Sequence, residues 1–135
     1  QSVSQPKNID REKSAASRLN TWQQGINIFQ KSPLLGTGFN SYRFALKEYG
    51  FARDDFLTSH GSSSNDSSLL FVLATTGALG TAAYLYFLFF IAKSNPVTAS
   101  AVLGLLGHSI FNNSLFYPPI LITLIFLPIL KFPKR

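Results

Sequence analysis

The second half of the chain is a nearly continuous apolar tract. Between Ser67 and Lys131 the one formally charged residue is Lys93, which stands beside Asn95-Pro96 between two long hydrophobic runs. The first run, residues 68–92, would extend about 37 Å as a helix, enough to cross a hydrocarbon core of roughly 30 Å with some tilt. The second, residues 97–117, carries as polar members only Ser, Thr, His108 and Asn112-Asn113, and it predicts another span. The third, residues 118–130, gives only about 20 Å of helix and predicts a short transmembrane or re-entrant segment.

The first half has a different rhythm. After a polar lead-in over residues 1–14, Leu19, Trp22, Ile26 and Phe29 recur at spacings of three and four, which predicts an amphipathic helix over residues 15–30. Gly25 weakens this helix and Ser32-Pro33 ends it. Arg18 and Trp22, four apart, project from the same side. A tight apolar turn with Gly36 and Gly38 follows. A second short helix is then expected near Asn40, with Asn40 as its cap, Phe39 and Phe44 as a hydrophobic staple and Gly50 closing it. Residues 15–67 thus read as a loop whose helices rest on a membrane surface.

Charge refines the picture. Residues 1–65 hold eight basic and five acidic groups, whereas residues 67–135 hold four basic groups and no acidic one, and the chain as a whole carries +6. The basic residues are dispersed and carry no zinc-finger spacing, helix-turn-helix cue or aromatic-basic sheet pattern, so nucleic acid is not an expected partner. Without cysteine there is no disulfide framework or thiolate site. Gly36-Thr37-Gly38 lacks the third glycine of a dinucleotide fingerprint and the Gly-Lys-Ser/Thr of a phosphate loop. His60 and His108 are far apart and offer no metal-ligand spacing, so no metal or cofactor is expected.

Short-loop charges set the expected orientation. Lys93 follows the first span and Lys131, Lys134 and Arg135 follow the third, while the turn around Phe116-Tyr117 has none. The positive-inside rule then places Lys93 and the basic tail, residues 131–135, in the cytoplasm and residues 15–67 outside, in a multi-pass protein of the cell membrane. With at most three spans, the chain is expected to be the C-terminal portion of a larger membrane protein. Preceding transmembrane helices and the lipid bilayer would be its partners, and residues 1–135 alone would be inactive.

Polar residues gather where the loop meets the first span, from Ser59-His60 through Asn65-Asp66-Ser67-Ser68. Asp66 suits a helix N-cap or first turn, and it equally suits a base that accepts a proton from a sugar hydroxyl. His108 and Asn112 share a face of the second span, as helix-to-helix glue or as cavity-lining groups. Gly77, Gly80, Gly104 and Gly107 are spaced to pack the first two spans closely.

Three of these motifs resemble, in order, the O-antigen ligase and polymerase family of polytopic membrane glycosyltransferases. Arg18-Leu19-Asn20-Thr21-Trp22 running into Ser32-Pro33-Leu34-Leu35-Gly36-Thr37-Gly38-Phe39 is similar to its arginine-tryptophan helix and proline-leucine-leucine-glycine-x-glycine turn. Asp66-Ser67, nine residues and Gly77-Ala78-Leu79-Gly80 resemble its histidine-asparagine/serine and glycine-x-x-glycine signature. Gly107-His108-Ser109-Ile110-Phe111-Asn112-Asn113 with Tyr117-Pro118 resembles its last helical hairpin.

The resemblance implies glycan transfer or polymerisation from a polyprenyl-diphosphate-linked donor to a sugar hydroxyl at the outer face. It implies Arg18 as a diphosphate ligand and catalytic group, and Asp66 as the counterpart of the family's histidine. Arg43, Arg53, His60 and Ser67 are further substrate-binding candidates. Because Asp66 replaces the histidine, either it serves as the base, His60 reaches in from the loop, or this member has a different activity or none. The alternative outside the enzyme class is a non-catalytic membrane segment of a transporter or channel, for which His108 is the one ionisable residue inside a run. The expected fold is all-α: an extracytoplasmic loop with amphipathic helices, then two to three transmembrane helices.

Overall fold

The computed structural model describes residues 7–52 and 65–130, with side chains from Ser14 onward. Among these residues the fold is entirely helical. The elements are α1 (Lys7–Lys31), α2 (Tyr42–Glu48), α3 (Ser68–Ala92), α4 (Pro96–Ser109) and α5 (Pro118–Phe126), the last extended by a 3-10 turn at Leu127–Ile129. α1 packs chiefly on α3, and α3 on α4.

Two hydrophobic clusters hold the helices together. Val72 and Leu88 of α3 meet Val102 and Leu105 of α4, together with Leu115 and Leu124. On the other side of α3, Ala74 packs with Ile28 of α1 and with Tyr42, Ala45 and Leu46 of α2. An aromatic series crosses between the clusters, from Tyr42 to Phe71 at 5.3 Å, Phe71 to Phe116 at 5.8 Å and Phe116 to Tyr84 at 6.2 Å between ring centroids.

α1 begins eight residues before the apolar pattern does, and its core face is not the predicted stripe. Leu19 is 64% and Ile26 43% exposed, whereas Gly25 and Ile28 are buried. Periodicity finds an apolar stripe, but a close approach selects the buried one: α1 meets the start of α3 where Gly25 leaves room. α2 also starts later than expected. Its cap is Ser41, and Asn40 instead takes a left-handed conformation at φ 59°. The one-residue shift puts Asn40 and Ala45 at the staple positions and leaves Phe39 92% exposed. Gly50, at φ +75°, does close the helix, its N–H donating to the Lys47 carbonyl.

α3 is the one helix among the described residues long and apolar enough to cross a membrane. Its C-terminal half exposes Tyr86, Phe87, Phe89 and Phe90, a face suited to lipid or to further helices. The expected second span is shorter: α4 has 14 residues, about 21 Å, and stops at Ser109. Beyond it Asn112, Asn113 and Ser114 turn the chain, because their side chains and carbonyls bond locally and to the start of α3. The glycine seam between these helices is also absent. A Cβ on Gly104 or Gly107 would meet nothing within 4 Å, and one on Gly80 would meet Thr76 of its own helix.

Gly77 has another role. At φ 65°, ψ −170° it interrupts α3, and the interruption is filled by the turn between α1 and α2. Thr37 N–H and Gly38 N–H donate to the Ala74 and Thr75 carbonyls at 3.0 and 2.8 Å. Ala78 N–H and Leu79 N–H donate to the Pro33 and Leu34 carbonyls at 2.8 and 3.2 Å. Each segment thereby satisfies backbone groups that the other leaves unpaired, a requirement for irregular backbone in apolar surroundings. The approach is so close that a Cβ on Gly36 would overlap the Thr75 backbone and one on Gly77 the Leu34 backbone.

Gly77→Ala therefore combines left-handed strain with backbone overlap. In the intact protein in detergent, thermal melting should show it destabilised by about 3 kcal/mol or more. Gly104→Ala, built into open helix, should change stability by no more than about 1 kcal/mol and in the favourable direction. A melt of Gly77→Ala equal to wild type would contradict this clasp of the 33–38 turn on the α3 break.

Candidate active site

The residues preceding α3 bind it to α1 and α2. Asn65, 1% exposed, donates from Nδ2 to the Thr21 carbonyl and to the Tyr42 hydroxyl at 2.9 Å, and accepts the Ser67 N–H on Oδ1 at 2.9 Å. One buried amide thus joins α1, α2 and the start of α3. It fits because residue 25 is glycine: a Cβ there would lie 2.8 Å from Asn65 Nδ2. Burial raises the Tyr42 hydroxyl pKa above the usual phenol value; the Asn65 hydrogen bond opposes this and the Asp66 carboxylate adds to it.

Asp66 is not the cap of α3. Ser67 is, its Oγ accepting the Leu70 N–H at 3.4 Å and donating to the Ser109 carbonyl at 3.1 Å. Asp66 instead turns to α1, where the Thr21 hydroxyl lies 2.8 Å from its Oδ2. That hydroxyl also lies 2.9 Å from the Arg18 carbonyl. The half-buried carboxylate is therefore held within one helical turn of the Arg18 backbone carbonyl, and no ion pair joins it to the Arg18 side chain among the described residues.

Arg18 is exposed and lines a groove of about 420 Å³ with Ser14, Ala15, Leu19, Trp22 and Phe111. The Trp22 and Phe111 rings meet at 5.6 Å, tilted by 39°, closing one wall with a residue from the turn after α4. The groove thus places one guanidinium beside largely apolar surface. The Trp22 indole N–H has no hydrogen-bond partner among the described residues.

At the end of α4, His108 Nδ1 contacts Ser114 Oγ and its Nε2 lies 3.2 Å from Asn112 Nδ2. These contacts tie the ring to both sides of the turn through its two nitrogens. The Asn112 carbonyl in turn accepts from Ser68 Oγ at 2.9 Å, so His108 and Asn112 brace the turn against α3.

Of the sequence-predicted site residues, Arg18 lines the groove, and Asp66 reaches the same helix at Thr21, whose hydroxyl links it to the Arg18 backbone carbonyl. Ser67 is 2% exposed with its hydroxyl committed to capping and to Ser109. Arg43 is half-buried in the first turn of α2 and is not among the residues lining the Arg18 groove. Arg53 and His60 lie outside the described residues. Sequence reasoning missed Thr21, Asn65 and Tyr42. The available signal was Gly25, since a glycine inside a helical pattern marks a close approach.

The sequence model of a family described as O-antigen ligase matches residues 1–85. The matched segment contains α1, the 33–38 turn, α2, Asp66 and the Gly77-Ala78-Leu79-Gly80 motif, and it ends before α4. Comparison with curated proteins and with solved structures gives no match.

The fit of Asn65 to Gly25 can be tested by a double-mutant cycle on the intact protein. Gly25→Ala should destabilise by about 1–2 kcal/mol despite its gain in helix propensity, because Asn65 must shift from bonds it makes while buried. In an Asn65→Ala background the same change should be nearly neutral. Additive effects in the melting curves would mean that the two positions do not meet.

Proposed function

The chain belongs to the O-antigen ligase family, and with that family comes glycan transfer of the ligase or polymerase kind, acting on a lipid-linked glycan at a membrane. From this premise we propose that the protein transfers a glycan, with inversion, from a polyprenyl diphosphate donor to a sugar hydroxyl at the outer face of the membrane, as part of a larger multi-pass protein. The observation that carries the reading is that Asp66 bonds the Thr21 hydroxyl, within one helical turn of the Arg18 backbone, while the Arg18 side chain lines an apolar groove.

The chemistry needs two charges in these places. The acceptor oxygen attacks the anomeric carbon while the bond to the diphosphate oxygen breaks, its electron pair staying on the diphosphate. Arg18 offers paired N–H donors to the phosphate oxygens as that charge grows. The hydroxyl proton passes to the Asp66 carboxylate, the positional counterpart, by resemblance, of the family's histidine. Leu19, Trp22 and Phe111 supply apolar surface beside the diphosphate, fitting a lipid-linked donor. The leaving group is already activated, so the step requires no nucleotide.

Arg18→Lys separates charge from geometry. A residue that only covers apolar surface tolerates lysine, because both side chains snorkel. A diphosphate ligand loses its bidentate match, and turnover should fall by about 10²–10³. Asp66→Asn should lose about 10²–10⁴. The measurement is glycan transfer by the intact protein in membranes matched for protein amount, and near-wild-type rates for both variants would leave the assignment without support.

A further inference from the structure

Thr21 sits in the middle of α1, where a threonine hydroxyl ordinarily bonds back to a carbonyl of the preceding turn. Here that bond is available, to Arg18 O at 2.9 Å, yet the same oxygen lies 2.8 Å from Asp66 Oδ2. The residue is gripped twice by consecutive residues of the other segment, its carbonyl by Asn65 Nδ2 and its hydroxyl by Asp66. Asn65 is 1% exposed and also bonded to Tyr42, so the register between α1 and residue 66 has no freedom to slip. Among the described residues no donor engages Asp66 Oδ1.

We propose that Thr21 is a positioning residue for glycan transfer: it fixes the Asp66 carboxylate through Oδ2, leaves Oδ1 for the acceptor hydroxyl, and ties this geometry to the turn of α1 that carries Arg18. The Thr21 bond serves both states of Asp66 during a turnover. While Asp66 is ionised, the Thr21 proton points to Oδ2 in a charge-assisted bond. Once Asp66 has taken the acceptor's proton on Oδ1, Oδ2 is the carbonyl oxygen of the acid and still accepts the Thr21 proton. The carboxyl group is thus bonded before and after transfer without movement of either backbone. Serine can do the same; valine, of similar shape, cannot.

This inference rests on Asp66 being the base, and the experiment separates the two claims. Glycan transfer is measured with the intact protein in detergent, using the polyprenyl diphosphate glycan extracted from the producing cells as donor, for wild type, Thr21→Val, Thr21→Ser and Asp66→Asn. Thr21→Val should lower kcat about tenfold or more with donor KM within twofold of wild type, and Thr21→Ser should restore kcat to within about threefold. Equal losses in the valine and serine variants, or a loss confined to KM, would overturn the positioning role. So would wild-type kcat in Thr21→Val; if Asp66→Asn is then inactive, the base assignment survives and the Thr21 inference alone fails. An active Asp66→Asn would overturn both. Should Thr21→Val fail to accumulate, Thr21→Ala, which lacks the hydroxyl without adding bulk, carries the same expectation.

Discussion

Backbone hydrogen bonding between the 33–38 turn and the interruption of α3 at Gly77 is the constraint on which the other packing depends. An apolar helix broken at its middle exposes carbonyls and N–H groups that lipid and side chains cannot satisfy. A turn of the sequence Pro33-Leu34-Leu35-Gly36-Thr37-Gly38 has the same problem in reverse. Joined, they supply each other's partners through four bonds, and the absence of a Cβ at Gly36 and Gly77 lets the chains come within reach. The end of α1 and the start of α2 are thereby both fixed against α3. Ile28, Tyr42, Ala45 and Leu46 consequently close around Ala74.

The site inherits its geometry from that arrangement. With the end of α1 anchored at the break, its preceding turns run alongside the first half of α3, and Gly25 and Thr21 meet Asn65 and Asp66. The buried amide of Asn65 holds contacts to three segments, so the carboxylate beside it is held by packing rather than by an exposed loop. Beyond Thr21 along the same helix, Arg18 faces a groove that the turn after α4 completes through Phe111. The Arg18 side chain at the groove and the Asp66 carboxylate at Thr21 thus stand along the same helix, with no ion pair between them among the described residues.

Much of this was legible in the residues. The 68–92 run is helical between those bounds apart from the break at Gly77, because an apolar stretch free of charge and proline between Ser67 and Lys93 favours helix. The i, i+4 pair Arg18 and Trp22 does line one groove, and the ordered motifs pointed to the family that matches residues 1–85. What escaped depends on long-range contacts. Glycine at position 77 reads locally as a small residue for helix packing, and only its partner turn reveals it as a break. The apolar stripe of α1 was visible, but the buried positions Gly25 and Ile28 are chosen by Asn65 and Ala74, far along the chain. The early stop of α4 likewise reflects Ser67 and Ser68 bonding to the Ser109 and Asn112 carbonyls.

Site-resolved amide hydrogen exchange on the intact protein in detergent tests the clasp most directly. A continuous α3 helix would protect Ala78 and Leu79 through its own ladder and leave the Thr37 and Gly38 amides exchanging at surface-loop rates. The clasp predicts slow exchange at Thr37 and Gly38 as well, with all four amides losing protection together when Gly36 is replaced by alanine. Fast exchange at Thr37 and Gly38 in the wild-type protein would contradict it.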